Sequence, residues 1–214
     1  MKKNIFIISV LVLACVSAVP ALAGDFKIGV SAGFDMTNTD QTYVGTIGNA
    51  QIGYYPIPSY NINAYLGYKP EGRLGFSIEP GLIRKGAARR DDVNYGGQDS
   101  QYKLNYIQAP VLADIYLTKR LFISVGPEFG LLAKALVYTD GGSYDVDLLY
   151  DNRLEISGIL GINYSLFKFL DLGFKYNHGI IHTTSITYTG DSGDEIGETR
   201  DYNQYWQFMV RFKI

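Results

Sequence analysis

A short motif near residue 30 has the spacing of a serine-hydrolase nucleophile. Residues Gly29-Val30-Ser31-Ala32-Gly33 match the pattern G-x-S-x-G, in which the serine hydroxyl attacks an ester or amide. That motif requires a sharp turn from a strand into a helix, which exposes the hydroxyl. Here the motif lies inside an alternating, strand-like segment, and no helical pattern follows it. We therefore interpret Ser31 as a small residue within a strand and assign it no catalytic role.

Two histidines and a serine form a second candidate for hydrolytic chemistry. His178, His182 and Ser185 lie close together in the sequence, at the end of another strand-like segment. A histidine can activate a serine hydroxyl, but a further group must orient the imidazole, and nothing in the sequence places a carboxylate beside these histidines. Ester hydrolysis therefore stays open as an alternative function, and no catalytic residue is assigned.

Acidic residues are concentrated in two polar segments and could bind a divalent cation. They are Asp140, Asp145 and Asp147 in one segment, and Asp191, Asp194, Glu195, Glu198 and Asp201 in the other. Neither group has the spacing of an EF-hand loop. We interpret both groups as solvated loops, and the sequence predicts no metal site and no cofactor.

Tyrosines in and near the long polar segments could recognise a ligand. They are Tyr43, Tyr54, Tyr55 and Tyr60 in one region, and Tyr138, Tyr144 and Tyr150 in another. Aromatic residues also gather where a protein crosses the surface of a membrane, which explains several of them without a ligand. The choice between these roles depends on the elements that position the tyrosines.

The N-terminus has the three parts of a secretion signal. Lys2 and Lys3 precede the apolar run Ile5–Val19, and the small-residue site Ala21-Leu22-Ala23 follows it. We therefore expect residues 1–23 to be a cleaved signal peptide and residues 24–214 to form one domain. Lipidation at Cys15 is an alternative, although Leu13 and the cleaner site at Ala23 argue against it.

Composition excludes several classes of function. Without Lys2 and Lys3, 17 basic residues stand against 21 acidic ones, a formal charge of −4 for Gly24–Ile214. That balance gives no basic excess for binding nucleic acid. No later apolar stretch reaches the 18 or more residues of a membrane-spanning helix, so a membrane-integral chain would have to cross with strands.

Alternating apolar and polar side chains predict eight strands. The last one shows the pattern most clearly, because Trp206, Phe208, Val210, Phe212 and Ile214 all fall on one face. Most of the segments reach the 9–11 residues that a strand needs to cross a bilayer. The eight segments are residues 26–36, 59–68, 73–85, 102–117, 121–135, 153–164, 169–179 and 202–214.

The connections between these segments alternate between long and short. Residues 69–72, 118–120 and 165–168 are tight turns, whereas residues 37–58, 86–101, 136–152 and 180–201 are long and polar. Bacterial outer-membrane barrels have short periplasmic turns and longer outer loops. We therefore predict an all-β fold, an eight-stranded antiparallel up-and-down transmembrane β-barrel in which the last strand pairs with Phe26–Met36.

The polar faces of the strands indicate which side of the barrel they occupy. They carry many glycines and scattered charges, which suits the narrow lumen of a small barrel better than a water-exposed surface. The basic residues assigned to the lumen are Lys27, Arg73, Lys134, Arg153, Lys175, Arg211 and Lys213. The acidic ones are Asp35, Glu79, Asp114, Glu128, Glu155 and Asp171. Because the two sets nearly balance, we expect the charges to form pairs.

Prolines disturb three of the predicted strands. Pro80, Pro110 and Pro127 each remove a hydrogen bond from the sheet. In the fourth strand the apolar residues also change face. Leu104 and Tyr106 fall on one side, and the other side carries Ile107, Ala109, Val111, Ala113 and Ile115. A β-bulge near Tyr106 would reconcile the two halves.

The proline segments resemble the PorT-like outer-membrane β-barrel family of small, OmpA-like barrels. The similar stretches are Phe76–Leu82 running into Lys85-Gly86, Leu104–Leu112, and Gly126–Gly130. The resemblance implies an eight-stranded barrel of Gram-negative bacteria, and most members of the family have no assigned activity. Gln108 stands where the family commonly has glutamate, so a role for that carboxylate does not carry over.

The sequence thus predicts a non-enzymatic outer-membrane protein, either structural or binding through its outer loops, with a lumen plugged by side chains. Its expected partners are outer-membrane lipid and lipopolysaccharide, the barrel assembly machinery and an extracellular ligand of the long loops, with no nucleic acid. Two alternatives stay open. One is an outer-membrane hydrolase of lipid or lipopolysaccharide, and the other is a soluble, lipocalin-like periplasmic carrier with its apolar face inward.

Overall fold

The chain forms one antiparallel sheet that closes on itself. This computed structural model describes residues 24–45, 53–90, 99–150, 152–189 and 193–214. The predicted signal peptide and Asp191 lie outside the described residues. The strands are β1 (Gly24–Gly45), β2 (Tyr54–Tyr55), β3 (Ile57–Pro70), β4 (Leu74–Ile78), β5 (Gly81–Arg90), β6 (Asp99–Tyr116), β7 (Leu121–Thr139), β8 (Gly142–Asp145), β9 (Leu154–Phe167), β10 (Leu170–Gly179), β11 (Thr184–Thr189) and β12 (Glu195–Lys213).

Eight positions make up the barrel formed by the described residues. Around the ring they are β1, β3, β4 with β5, β6, β7, β9, β10 and β12, and β12 pairs back with β1. The short strands β2, β8 and β11 extend the sheet at the end of the long connections. The predicted fold is confirmed, including the pairing of the last strand with Phe26–Met36, in which Val30 lies opposite Phe212.

Apolar side chains cover the outside of the barrel. Along β1, alternate residues from Phe26 to Met36 face outward, and Trp206 to Ile214 do the same at the end of the chain. Ten residue steps span about 34 Å along a strand, or about 26 Å along the barrel axis at a tilt near 40°. This height matches the apolar band of outer-membrane barrels, about 25 Å. Within the described residues, no helix is long and apolar enough to span a membrane.

The strands continue further at one end than the sequence predicts. β1 extends to Gly45 instead of ending at Met36, and β7 extends to Thr139. Residues 37–42 of β1 are polar on both faces, and Leu136–Tyr138 of β7 are consecutive apolar or aromatic residues, so neither extension shows the alternation of a strand. The predicted long connections are therefore partly wrong, because hydrogen bonding to neighbouring strands carries the sheet beyond the membrane band. The three short turns are confirmed near their predicted positions.

The irregularity predicted near Tyr106 is present, but the extra residue lies on the neighbouring strand. Asn105 pairs with Lys134 and Tyr106 pairs with Leu132, so the bulged residue is Ala133 of β7. Along β6 the alternation is regular, and Leu104 and Tyr106 are both buried in the lumen. The assumption of a parity break in β6 was wrong, because Leu104 and Tyr106 are apolar residues that belong inside.

Candidate functional site

A lower charge cluster occupies the lumen at the short-turn end of the barrel. We define it as Glu79, Asp171, Lys175, Arg211 and Lys213, all of them buried. Glu79 accepts hydrogen bonds from Lys175 at 2.7 Å and from Arg211, and Asp171 pairs with Lys213 at 2.6 Å. β10 supplies Asp171 and Lys175, β12 supplies Arg211 and Lys213, and Glu79 lies between β4 and β5. Each buried charge has an opposite partner, as a narrow lumen requires.

An upper charge cluster lies nearer the long connections. Lys85 reaches across the lumen to Glu128, at 2.8 Å, and to Glu155. Tyr205 donates a hydrogen bond to Glu128 at 2.7 Å, and Asn203 donates one to Glu155 at 2.7 Å. The carboxylates therefore have both a cation and neutral donors, so their charge is compensated within the buried interior.

A row of amides lies between the two clusters. Asn61 donates to both oxygens of Asp35, at 2.9 and 2.8 Å, and Gln207 donates to the same carboxylate at 3.1 Å. Asn63 donates to Asn61 at 3.0 Å, and Gln108 donates to Asn63 at 2.9 Å. The glutamine found where the resembling family has glutamate thus contributes a neutral donor to this row.

The predicted lumen charges are only partly correct. All six acidic residues are buried, and so are Lys175, Arg211 and Lys213. The assignment of Arg73, Lys134 and Arg153 to the lumen was wrong, because all three side chains are exposed. Arg73 lies in a turn, Arg153 precedes β9, and the bulge at Ala133 turns Lys134 outward. Lys85 was missed, although it follows Glu79 and Ile83 on the inward face of the same barrel strand.

A mouth cavity of about 380 Å³ opens at the end of the long connections. Three tyrosine rings line it, from Tyr54, Tyr102 and Tyr150, together with Arg89 and Asp201. Leu104 and Asn203 also line the cavity, and both belong to the packed interior below it. The remaining lining residues are Thr39, Leu148, Leu149, Thr183, Thr184, Ser185 and Ile186.

Asp201 is the central acidic group of this mouth cavity. Its carboxylate accepts hydrogen bonds from Gln41 at 2.8 Å and from Tyr54 at 3.1 Å. Burial raises the pKa of Asp201 above its ordinary value, and these two hydrogen bonds act in the opposite direction. Burial also raises the pKa of Tyr54 and of Tyr150, so both phenols are donors at neutral pH. The cavity therefore offers aromatic faces beside a few polar groups, as ligand sites do.

The candidate hydrolytic residues are brought together only in part. His182 and Ser185 both interact with Glu198, whereas His178 contacts Tyr176. His182 also contacts Asn152. Within the described part of the chain, neither histidine forms a hydrogen bond with Ser185. Ser31 is buried in β1, and its hydroxyl has no hydrogen-bond partner among the described residues.

The acidic segments are partnered by neighbouring groups of the protein. Asp147 accepts a hydrogen bond from the Ala135 amide at 2.6 Å and lies 3.6 Å from Arg153. Glu198 pairs with Arg200 at 2.8 Å. Among the residues that the structure describes, no group of three or more His, Cys, Asp or Glu side chains could hold a metal ion.

A closed antiparallel barrel with an apolar outer band and a charged interior defines a transmembrane β-barrel of the outer-membrane type. Residues 18–185 match the outer membrane protein beta-barrel domain family. The chain belongs to this family, and the protein is located in the outer membrane of a Gram-negative cell. The alternative of a soluble periplasmic carrier is therefore wrong. No curated protein sequence has a significant match to the chain.

One solved structure of a small outer-membrane barrel shares the fold, and two further barrels are similar over most of the chain. Neisserial surface protein A is 14% identical, covers 87% of this chain and 97% of its own, and has a TM-score of 0.52. Ail of Yersinia pestis is 12% identical, covers 90% of this chain and 100% of its own, and has a TM-score of 0.48. OprG of Pseudomonas aeruginosa is 11% identical, with coverages of 90% and 97% and a TM-score of 0.45. At these identities the likeness concerns the fold alone.

Proposed function

We propose that this protein is a non-enzymatic outer-membrane barrel, plugged by its own side chains, that binds a ligand at its outer mouth. The short turns of bacterial barrels face the periplasm, so the mouth cavity faces the cell exterior. The resemblance of Phe76–Leu82 and Leu104–Leu112 to the PorT-like family supports placing the protein in that branch. An export role is not part of the proposal.

One observation carries this proposal, namely that the mouth cavity has a floor. Leu104 packs in a buried apolar cluster with Ile83, Tyr106 and Tyr205. Asn203, which also lines the cavity, bonds to Glu155 of the upper charge cluster. A cavity closed below by packed and hydrogen-bonded side chains suits binding, whereas a diffusion pore needs an open lumen.

The ligand class follows from the lining of the mouth cavity. Tyrosine rings offer flat apolar faces, and Arg89, Asp201 and the hydroxyls of Thr183, Thr184 and Ser185 offer polar contacts. A small molecule that combines an apolar or aromatic face with several hydrogen-bonding groups fits this lining. The exposed Leu148 and Leu149 of the 3-10 helix Asp147–Leu149 add apolar contact at the rim.

Two measurements test the proposal. In planar bilayers the purified barrel should give no steady ion conductance, and open-channel steps would contradict the plug. Saturation-transfer NMR with disaccharides and aromatic amino acids as probes should detect binding that Tyr150→Ala abolishes, while Tyr144→Ala, outside the cavity, leaves it unchanged. Equal signals from both variants would contradict binding at the mouth.

Orientation is tested on intact cells. The region after the predicted signal peptide has no cysteine, so a single introduced cysteine reports one position. A membrane-impermeant maleimide should label Ser185→Cys at the mouth but not Ser165→Cys at the other end of the barrel. The hydrolase alternative is tested by deacylation assays on the parent protein and on His178→Ala and His182→Ala. The proposal expects the parent protein to show no activity, and a parent activity that either variant abolishes would favour the hydrolase.

A further inference from the structure

A second cavity, of about 250 Å³, opens at the short-turn end of the barrel. Five cationic side chains line it, together with Ser165, Leu166 and Phe167. The cations are Lys27, Lys119, Arg120, Lys168 and Lys213. We call this cavity the basic pocket. Its position at the opposite end from the mouth makes it a separate feature of the molecule.

The fold brings these charges together from four places in the sequence. Lys119 and Arg120 come from the turn between β6 and β7, and Lys168 comes from the turn between β9 and β10. The Ser165 amide donates a hydrogen bond to the Arg120 carbonyl at 2.7 Å, which holds the two turns side by side. Lys27 near the start of β1 and Lys213 at the end of β12 complete the pocket.

The basic pocket has an excess of positive charge. Lys213 is held by Asp171 at 2.6 Å, and Lys27 lies 3.1 Å from Asp25. Within the described ranges, no carboxylate pairs with Lys119, Arg120 or Lys168. Folding places these three cations together without a compensating anion of the protein, so the pocket attracts an external one.

An apolar groove on the lipid-facing surface adjoins the basic pocket. The groove is lined mainly by apolar residues that include Val30, Leu66, Phe169, Phe212 and Ile214. Lys213 lines both cavities from the barrel wall, and its ammonium points into the lumen toward Asp171. Phe167, which lines the basic pocket, stacks on Phe169, which lines the groove, with ring centroids 5.5 Å apart. A cationic pocket beside an apolar groove fits a molecule with an anionic head and a hydrocarbon chain.

We propose that the basic pocket binds the phosphate group of an anionic phospholipid in the periplasmic leaflet. Arg120 and Lys168 contact the phosphate oxygens, as guanidinium and ammonium groups do in phosphate sites, and an acyl chain lies along the groove beside Phe169 and Phe212. Clustered basic side chains at a membrane surface favour anionic over zwitterionic lipid. The protein would then carry bound lipid at its periplasmic end, independently of the mouth cavity.

Native mass spectrometry of the folded protein in detergent tests this proposal, with phosphatidylglycerol added as the probe. The double variant Arg120→Gln/Lys168→Gln should bind phosphatidylglycerol roughly 30-fold more weakly than the parent. The matched control is Lys69→Gln/Arg73→Gln, which removes two cations from another turn at the same end and should keep the parent affinity. If the double variant does not fold, Arg120→Gln and Lys168→Gln should each bind phosphatidylglycerol about fivefold more weakly than the parent.

Three results would overturn the proposal. One is equal weakening in both double variants, which would indicate a general charge effect. Another is binding of phosphatidylcholine as tight as that of phosphatidylglycerol. The third is complete displacement of the lipid by an equal concentration of inorganic phosphate, which would make the pocket a site for the free anion.

Discussion

The Lys85 ammonium lies 2.8 Å from the Glu128 carboxylate, and both side chains are completely buried. The same ammonium also pairs with Glu155. Lys85 belongs to β5, whereas Glu128 and Glu155 belong to β7 and β9, so one side chain joins strands that are not adjacent in the ring. In this barrel such contacts across the lumen replace much of the apolar core of a water-soluble domain.

Replacing this central cation should destabilise the barrel strongly. Lys85→Met keeps a similar volume but leaves two buried carboxylates without their cation. Removing one partner of a buried ion pair costs about 3–5 kcal/mol. Urea unfolding of the protein in vesicles, followed by the loss of the fast-migrating folded band in unheated gels, measures the change.

Lys134→Met is the matched control for that experiment. Lys134 also lies on a barrel strand, β7, but its side chain is exposed. Its replacement should change the free energy of unfolding by no more than about 0.5 kcal/mol. A similar decrease in the free energy of unfolding for Lys85→Met and Lys134→Met would contradict the central role of the Lys85 ion pairs.

The contrast between these two lysines shows where sequence reasoning fails. Regular alternation assigns Lys134 to the lumen. That assignment is wrong because a single extra residue, Ala133, reverses the face of every later side chain in β7. The position of such a bulge depends on pairing with β6, which the sequence of β7 alone does not encode. Lys85 has the parity of the inward face, but it was read as the end of a strand, although β5 continues to Arg90.

Apart from these two lysines, the sequence predicts the fold well. Two-residue periodicity and the rhythm of turns specify strand number, order and facing, because the bilayer requires an apolar band of fixed height on each strand. The mouth cavity could not be predicted in the same way. Tyr102 of β6 lies there beside Tyr150, which follows the 3-10 helix Asp147–Leu149 in a connection that no hydrophobic pattern marks.

Asp201 in the mouth cavity should titrate above its ordinary pKa near 3.8. Burial favours the protonated carboxyl group, and the hydrogen bonds from Tyr54 and Gln41 only partly offset this effect. Tyr54→Phe removes one hydrogen bond to the charged form and should raise the pKa further. NMR titration of carbon-labelled aspartate measures both values.

The raised pKa also sets the sign of a pH effect on stability. The contribution of Asp201 is complete below the ordinary pKa and is lost as the pH rises through the higher folded-state value. Asp201→Asn should remove this part of the pH dependence. Glu198 is the internal contrast, because the hydrogen bond from Arg200 lowers its pKa. A pKa of Asp201 below that of a free aspartate would contradict the burial of its carboxyl group.

Gly86 in β5 should not tolerate a side chain. Its φ is +136°, and an added Cβ would lie 1.9 Å from the carbonyl oxygen of Tyr102 on the neighbouring strand. The backbone conformation alone should lower the free energy of unfolding of Gly86→Ala by about 1–3 kcal/mol, and the clash should lower it further. The control is Gly158→Ala, where the nearest atom lies 3.9 Å away and the expected change is within about 0.5 kcal/mol. Equal unfolding curves for the two variants would refute the strained geometry.

The last three residues should be required for assembly of the barrel. Ile214 exchanges backbone hydrogen bonds with Ile28, at 2.8 and 3.1 Å, and Phe212 pairs with Val30 across the closing seam. Deleting Phe212–Ile214 removes these bonds and the Lys213–Asp171 pair, which leaves unpaired edges on β1 and β10. Cells that express the deletion should contain no folded, heat-modifiable barrel, whereas Ile214→Phe, which keeps the backbone pairing, should assemble normally. Normal insertion of the truncated chain would show that the seam closes without its last pairs and that the C-terminal residues are not read by the assembly machinery.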